Sequence, residues 1–287
     1  MTPMFRPDGV SIREMTADDV AAGLRLCRAS QWNQTEQDWR FFLTAVPHGA
    51  LVAQEDGRVI GTVATCPYGP FTWISMVLVD PAARGRQVGS TLLKRGLELA
   101  GARTTARLDA TPVGEAIYRR IGFAGEYRLA RWCLDVTPPI ARGSSARPLA
   151  PADWLAIRER DLRAFGASRL GLLQRLAGEA PEYARVIRRG NQVQGYLFGR
   201  HGHNREHLGP LVADGPDTAA ELLASCLAEQ PHCRFYLDAP DDRQEWRDIL
   251  SSVGFVIERP FLRMHRGALT APGQPSSIYA IAGPEFG

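Results

Sequence analysis

One segment of the sequence combines residue types and a spacing that suit a bound anion. The stretch Val77–Ser90 reads as an apolar strand, a Gly- and Arg-rich loop and the start of a helix. A helix start offers unpaired N–H groups and the positive end of the helix dipole. Gly85 and Gly89 let the backbone approach a bulky group, and Arg84 and Arg86 add positive charge. The segment is therefore predicted to form a cradle for a diphosphate.

The spacing excludes two common phosphate-binding loops. The Gly-Lys-Ser/Thr of a Walker loop is missing, and the glycines do not form Gly-x-Gly-x-x-Gly. A plain strand–turn–helix connection can also contain glycine. On spacing alone, both explanations of the loop remain open.

The strands and helices predicted around this loop follow a regular order. Apolar periodicity predicts βααβββαβαβ for the first half, with Asp56-Gly57 as a hairpin turn and Thr35 and Asp38 opening the second helix. The strands beside the loop are predicted at Phe71–Val79 and Thr105–Ala110. This order predicts an α/β fold, described more closely as an α+β mixed sheet covered by helices.

The second half of the chain repeats the first. Four segments return in the same order, which indicates a duplicated domain. The pairs are Asp56–Gly61 with Gly190–Gly195, Leu78-Val79 with Leu211-Val212, Arg107–Ala110 with Tyr236–Ala239, and Ile121–Phe123 with Val253–Phe255. We predict a catalytic domain at 1–136, a Pro-, Gly- and Ser-rich linker at 137–146, and a second domain at 147–287.

The loop resembles the acyl-CoA-binding motif of the GNAT superfamily of N-acetyltransferases, Arg/Gln-x-x-Gly-x-Gly/Ala. Arg84 and Gly89 match its ends, whereas Gln87 replaces its first glycine. Tyr118–Phe123 resembles the family's Tyr-x-x-x-Gly-Phe, and the element order agrees with the GNAT fold. The Leu-Asp-Ala-Thr-Pro segment at Leu108–Pro112 is similar to that of tandem GNAT proteins with a degenerate second copy.

The resemblance implies that acetyl-CoA binds along the third strand and its following loop. The strand backbone would hydrogen-bond the pantetheine arm, and the loop N–H groups would hold the pyrophosphate. The implied residues are Val77, Leu78, Val79, Arg84, Gly85, Arg86, Gln87, Val88, Gly89 and Ser90. An amine of a small molecule or peptide would attack the thioester directly, an N–H near Leu78 would polarise the carbonyl, and CoA would leave as product.

Tyr118 stands at the acid position of the family, where its phenol can donate a proton to the departing thiolate. The alternative is that its ring only packs in the core. Many relatives carry a glutamate on the third strand, but Phe71–Val79 contains no carboxylate. The candidate bases are therefore Asp109, Glu126 or a water chain. Asp238 holds the place of Asp109 in the second half, and this favours a structural role for both aspartates.

The first pair of helices covers the acceptor site in the family. Trp32 falls in a loop and is predicted to contact the acceptor, together with Glu126. Trp39 shares a helix face with Phe42 and is predicted to lie in the core.

The second half has lost the residues of the cradle. Ala213–Ala219 contains no arginine, and its acids Asp214 and Asp217 would repel a diphosphate. Leu250 stands where Tyr118 is expected. The backbone of Leu211-Val212 could still pair with a pantetheine arm. We expect a non-catalytic copy that forms a wall of the acceptor site, stabilises the first domain or forms an oligomer.

Composition supports an ordinary globular protein. The chain has 287 residues, 45% of them hydrophobic and 23% charged, with a net charge of +3, and this suits two domains without a nucleic-acid partner. No apolar stretch suits a signal peptide or a membrane span. The five cysteines are scattered, which is typical of reduced thiols in the cytoplasm.

The remaining expectations concern metals, assembly and the competing function. His203 and His207 fall on a predicted hairpin, where their spacing does not converge on a metal, so no metal is expected. Either a monomer or a homodimer is expected. The alternatives to an N-acetyltransferase are a non-catalytic acyl-CoA-binding or regulatory protein and a scaffold without a ligand.

Overall fold

The structure is a computed structural model that describes residues 4–5, 9–101, 104–139 and 144–287. Residues 140–143 of the predicted linker lie outside these ranges. Two compact units are present, one made of residues 1–108, 265–268 and 286, the other of 109–264, 269–285 and 287. The predicted boundaries at 136 and 146 stay a prediction.

The strands and helices of the first copy lie close to their predicted positions. The strands are β1 Met4–Phe5, β2 Ser11–Glu14, β3 Ala50–Glu55, β4 Arg58–Pro67, β5 Phe71–Val79, β6 Thr105–Ala110 and β7 Ala124–Leu134. The helices are α1 Val20–Ala29, α2 Glu36–Ala45, α3 Val88–Ala100 and α4 Pro112–Arg120. The predicted mixed α/β fold is therefore confirmed.

The second copy repeats this order and ends with one further strand. The strands are β8 Arg147–Pro148, β9 Arg185–Arg189, β10 Gln192–Arg200, β11 Glu206–Ala213, β12 Phe235–Pro240, β13 Val256–Arg266 and β14 Ile278–Ala280. The helices are α5 Trp154–Phe165, α6 Leu170–Glu179, α7 Pro216–Glu229 and α8 Gln244–Val253.

The first unit is a sheet in the order β1-β2-β3-β4-β5-β6. It is antiparallel as far as β5, and β6 runs parallel to β5. Adjacent residues of β4 are buried on both faces of the sheet, and α1, α2 and α3 all pack on this strand. A Cβ atom at Gly61 would lie 2.8 Å from Leu92 Cδ1, so the glycine allows α3 to pack closely.

Local sequence chemistry begins α2 where it was predicted. Thr35 precedes the helix, its N–H donates to Asp38 Oδ2 at 2.8 Å, and together they form a capping box. Trp39 and Phe42 then turn inward, both fully buried, with ring centroids 6.4 Å apart. Trp39 is therefore a core residue, as predicted.

The second unit has the strand order β13-β7-β12-β11-β10-β9-β8, with β14 paired to β11. The last strand of the first sequence copy, β7, pairs antiparallel with β12 over its length from Leu129 to Leu134. The core of the second unit includes Trp132, Leu237, Trp246 and Leu250. A sequence copy and a compact unit are therefore different sets of residues.

Three ion-pair arrangements recur in both sequence copies and support the duplication. In the first arrangement, an arginine of the first helix binds two groups, the aspartate that follows a central strand and the carbonyl of a residue on the neighbouring strand. The arginine–carboxylate distance is 2.6 Å in the first copy and 2.5 Å in the second. These residues are Arg25, Asp80 and Val59, then Arg160, Asp214 and Val193.

The second arrangement joins Arg13 to Asp19 and Arg147 to Asp153. The third joins the aspartate near the end of β6 or β12 to an arginine on β13 or β7 of the other copy. The first arrangement matches Asp80 with Asp214. The sequence alignment of Leu78-Val79 with Leu211-Val212 was therefore wrong by one residue, because Val79 corresponds to Ala213.

Candidate active site

The turn between β5 and α3 has the backbone expected of an anion cradle. Gly85 has φ +79°, and Gln87, the residue before α3, has φ 60° and ψ 12°. Gln87 stands where the resemblance expects glycine, and it adopts the left-handed conformation that glycine takes most readily. The substitution therefore keeps the backbone shape of the turn.

The first turn of α3 leaves donors for a ligand. Its first recorded backbone hydrogen bond runs from Thr91 N–H to Gln87 O at 3.0 Å. The N–H groups of Val88, Gly89 and Ser90 precede that bond and have no helical acceptor. A Cβ atom at Gly89 would lie 3.1 Å from Val79 Cγ2, so the missing side chain lets α3 begin close to β5.

The two arginines of the loop differ in their charge environment. Arg86 forms a bidentate ion pair with Glu55, and this contact lowers the pKa of Glu55. Arg84 is exposed, and its Nε lies 3.4 Å from Val79 O. Within the described ranges no carboxylate pairs with Arg84. Arg84 is therefore the loop cation that is free to bind an anion.

Among the described residues, one edge of β5 is paired with another strand only over its first third and is open beyond it. β5 pairs with β4 as far as Val79, whereas its recorded pairing with β6 covers only Phe71–Trp73. Asp80 N–H donates to Ile60 O on the β4 side at 2.8 Å. Because backbone groups alternate along a strand, those of Val77 and Val79 face the open edge and those of Leu78 face β4.

A bulge lies within this edge, just before Val77. Met76 has φ 53°, and its carbonyl accepts a buried hydrogen bond of 2.7 Å from Thr62 Oγ1. The register between β4 and β5 shifts at this point. A non-glycine residue in this conformation inside a strand is strained, and bulges of this kind re-aim the strand that follows.

Tyr118, in the second unit, is half-buried on α4. Its ring lies 5.9 Å from that of Phe123 and packs on Gly114, where a Cβ atom would come within 2.9 Å of it. Burial raises the pKa of Tyr118 to about 12. Its hydroxyl makes no recorded hydrogen bond within the described part of the chain. The phenol is therefore protonated at neutral pH.

Asp109 is held by an arginine that the sequence did not single out. Arg263 on β13 donates from Nε and Nη2 to the two carboxylate oxygens, each at 2.9 Å, and from Nη1 to Tyr127 Oη at 2.7 Å. Both side chains of the ion pair are buried. A carboxylate with both oxygens engaged by a guanidinium is a poor proton acceptor, so this geometry favours a structural role.

The corresponding aspartate of the second copy has the same arrangement. Arg131 on β7 donates to the two oxygens of Asp238 at 2.8 and 2.7 Å, and both residues are buried. Each aspartate is thus paired with an arginine on a strand of the other sequence copy, β13 for Asp109 and β7 for Asp238. The only signal in the sequence was the repeated aspartate, because no local pattern marks the arginine partners.

The two residues predicted to contact the acceptor are not brought together by either unit. Glu126 is half-buried on β7 in the second unit. Trp32, in the first unit, is half-buried in the loop between α1 and α2. Its backbone N–H donates to Cys27 O at 2.9 Å. Their contact with an acceptor stays a prediction.

The histidine segment behaves as a hairpin, as predicted. β10 ends at Arg200 and β11 begins at Glu206. His207 is fully buried between Arg200, at 3.0 Å from its Nδ1, and Asp238, at 3.2 Å from its Nε2. The described residues contain no group of three side chains able to hold a metal ion.

The second copy lacks the cradle because its loop is shorter. Only Asp214 and Gly215 separate β11 from α7, whereas residues 80–87 separate β5 from α3. The argument that Asp214 lies in the place of a diphosphate was wrong, because Asp214 corresponds to Asp80 and pairs with Arg160. The shortened loop is the physical difference between the two copies.

The expectation that Leu211-Val212 could still pair with a pantetheine arm was also wrong. β14 pairs antiparallel with β11, with Leu211 opposite Ala280 and Val212 opposite Ile278. The edge that is open in β5 is therefore occupied in β11.

Comparisons with known proteins identify the class of this fold. The family model described as "Acetyltransferase (GNAT) family" matches residues 17–123, and the one described as "Acetyltransferase (GNAT) domain" matches residues 157–280. The chain therefore belongs to the GNAT acetyltransferase superfamily, as a tandem protein with two GNAT domains. This membership supports acyl transfer as the general activity.

Individual relatives extend over nearly the whole chain. An uncharacterized N-acetyltransferase, YitH, of Bacillus subtilis (strain 168) is 24% identical over 277 residues, which cover 94% of this chain and 96% of that protein. A putative acetyltransferase from Pyrococcus horikoshii has a TM-score of 0.85 at 23% identity, covering 100% of this chain and 99% of that one.

A tandem GNAT protein from the clavulanic acid biosynthesis pathway has a TM-score of 0.62 at 17% identity, covering 89% of this chain and 98% of its own. At these identities the solved structures show a shared fold. No helix within the described ranges is both long and apolar enough to cross a bilayer.

Proposed function

We propose that the chain transfers an acetyl group from acetyl-CoA to an amine of a small molecule or an exposed amino group of a peptide. The observation that carries this proposal is the continuity of the open edge of β5 with the N–H groups that begin α3. An extended pantetheine arm needs strand-like acceptors and donors, and a diphosphate needs a helix start.

The residues present fit the cofactor at both ends. The backbone groups of Val77 and Val79 face the open edge and would hydrogen-bond the arm. The N–H groups of Val88 to Ser90 and the guanidinium of Arg84, which pairs with no carboxylate of the described residues, would bind the diphosphate. The thioester supplies an activated acyl group, and the chain holds it along the strand.

Tyr118 would assist the leaving group mainly as a hydrogen-bond donor. A thiol has a pKa of about 8.5, so complete proton transfer from a phenol of pKa about 12 is uphill by roughly 5 kcal/mol. A hydrogen bond to the developing thiolate stabilises its charge without that transfer. The attacking amine would lose its proton to Glu126 or to water, since Asp109 is tied to Arg263.

Calorimetric titration of the chain with acetyl-CoA tests the proposal. We expect saturable binding that Arg84→Glu abolishes and that Arg163→Glu leaves unchanged. Arg163 is the matched control because it is also an exposed arginine that forms no ion pair with any described residue. No heat from folded protein at millimolar acetyl-CoA would exclude the proposal.

The competing function is an acyl-CoA-binding protein without turnover. One observation favours it: β5 has no carboxylate, and both oxygens of Asp109 are engaged by Arg263. Thiol release from acetyl-CoA with a panel of amines, drugs and amino acids separates the two functions. Tight binding of acetyl-CoA, with thiol release no faster than in buffer alone, would support the competing function.

A further inference from the structure

The corresponding edges of β5 and β11 differ in their partners. β11 runs parallel to β12 from Glu206 to Leu208, and β14 then lies antiparallel along β11. Asp214 N–H donates to Gln194 O on the β10 side, as Asp80 N–H donates to Ile60 O in the first copy. By alternation, the backbone groups of Leu211 face β14, as those of Val77 face the open edge of β5.

The segment around β14 is also bound by side chains of α8 and the residue before it. Trp246 Nε1 donates to Tyr279 O at 2.9 Å. The indole packs edge-to-face on the Tyr279 ring, with the ring centroids 5.2 Å apart. Arg243 lies over the same ring at 4.3 Å and donates to the carbonyls of Ser276 and Ile278. Ile278, Tyr279 and Ala280 are all buried.

Within the described part of the first copy, these contacts have no equivalent. Counted back from Gly122 and Gly254, Gly114 on α4 corresponds to Trp246 on α8, and Thr111 corresponds to Arg243. Where the first copy has a glycine, the second has a buried indole whose N–H binds β14.

The backbone of β11 is shaped for close approach by this segment. Gly209 has φ +151°, and a Cβ atom there would overlap Ile281 O. Ile281 N–H in turn donates to Asp238 O on β12 at 2.9 Å. A side chain at position 209 would therefore clash with residues 278–281 in their observed path.

We propose that residues 278–281 are an intramolecular ligand of the second copy, bound at the strand edge that corresponds to the acyl-CoA edge of the first. This proposal rests on the proposed function of the first copy. The second copy is a strand-binding module that recognises an extended peptide by its backbone, through β11, Trp246 and Arg243. The chain therefore binds one acyl-CoA.

Residue-resolved hydrogen exchange on the full chain tests this proposal. Without cofactor, we expect Leu211 N–H to be protected and its counterpart, Val77 N–H, to exchange freely. Saturating acetyl-CoA should protect Val77 and residues 84–90 and leave Leu211 unchanged. The binding stoichiometry should be one per chain.

A pair of tryptophan variants separates binding of the segment from general stability. Trp246→Phe removes the hydrogen bond to Tyr279 O and should raise exchange at 278–281 and at Leu211 roughly fivefold. Trp132→Phe is the matched control, because Trp132 is also buried in this unit but its Nε1 has no recorded partner within the described part of the chain. It should leave exchange at 278–281 at the level of the parent chain.

The outcomes distinguish the two proposals. Fast exchange at Leu211 in the free chain, new protection of Leu211 by acetyl-CoA, equal effects of the two tryptophan variants, or two cofactors per chain would each overturn the internal-ligand proposal. Protection at Leu211 with no effect of acetyl-CoA on Val77 would instead overturn the function proposed for the first copy.

Discussion

Tyr118 and Gln87 show how single residues define the chemistry of the site. Tyr118 is held against Gly114 with its hydroxyl protonated, and Gln87 keeps a glycine-like backbone at the start of α3. The type of each residue was visible in the sequence. Its environment was not, because burial and backbone angle depend on residues distant in the chain.

Removing the Tyr118 hydroxyl should slow turnover without weakening cofactor binding. A hydrogen bond to a developing charge contributes to the transition state, so we expect Tyr118→Phe to lower kcat roughly 10- to 100-fold. The Kd for acetyl-CoA, measured by calorimetry, should not change. Full activity of this variant would remove Tyr118 from the mechanism.

The pH profile gives a second prediction for the same residue. Because burial raises the pKa of Tyr118 to about 12, the phenol stays protonated over the range in which the acceptor amine becomes neutral. kcat/KM should therefore rise with pH and level off, without a decline below about pH 11. A decline near pH 10 that disappears in Tyr118→Phe would contradict the raised pKa.

Gln87→Gly should relieve strain in the cradle. The left-handed conformation of a non-glycine residue costs the folded state about 1–2 kcal/mol. Glycine removes this cost, but it also makes the unfolded chain more flexible, and this offsets part of the gain. We expect the free energy of unfolding to rise by roughly 0.5–1 kcal/mol in chemical denaturation. Gln31→Gly is the control, because Gln31 has φ 57° outside the cradle. A gain for Gln31→Gly alone would show that the cradle backbone is not strained.

At the scale of elements, the sequence predicted what local chemistry determines. The capping box of Thr35 and Asp38, the Asp56-Gly57 turn and the apolar run Phe71–Val79 each define an element by neighbouring residues, and each element was confirmed. The location of β14 was not predictable. Ile-Tyr-Ala is too short to show a period, and its pairing with β11 depends on residues far away in the chain.

The paired aspartates at the ends of β6 and β12 permit a matched test. Removing one partner of a buried ion pair costs roughly 3–5 kcal/mol, so Asp109→Asn and Asp238→Asn should lower the free energy of unfolding by similar amounts. If Asp109 is structural, both variants should keep the activity of the parent chain when it is normalised to folded molecules. Loss of activity confined to Asp109→Asn, at equal stability, would instead identify Asp109 as the base.

At the scale of the molecule, a buried network in the second unit should determine the response to acid. It consists of Glu285, Arg200, His207, Asp238 and Arg131, all buried. Burial and the neighbouring Arg200 lower the pKa of His207 below 6.5. The unfolded chain therefore takes up a proton that the folded chain does not.

Stability should consequently fall as pH decreases below about 6.5. The contribution of Asp238 acts at lower pH, because the ion pair with Arg131 lowers the pKa of this carboxyl despite the opposing effect of burial. His207→Gln should reduce the loss in Tm between pH 7 and pH 5. An unchanged slope in this variant would assign the acid response to other groups.

The reciprocal pairing of Asp109 with Arg263 and of Asp238 with Arg131 has a consequence for any attempt to divide this protein. A cut in 137–146 leaves each fragment with an aspartate whose arginine is on the other fragment. The fragments should thus behave as halves of a split enzyme: the nicked chain should elute as one particle and keep its activity. Separately expressed, each half should expose an unneutralised buried charge and aggregate, and co-expression should restore solubility.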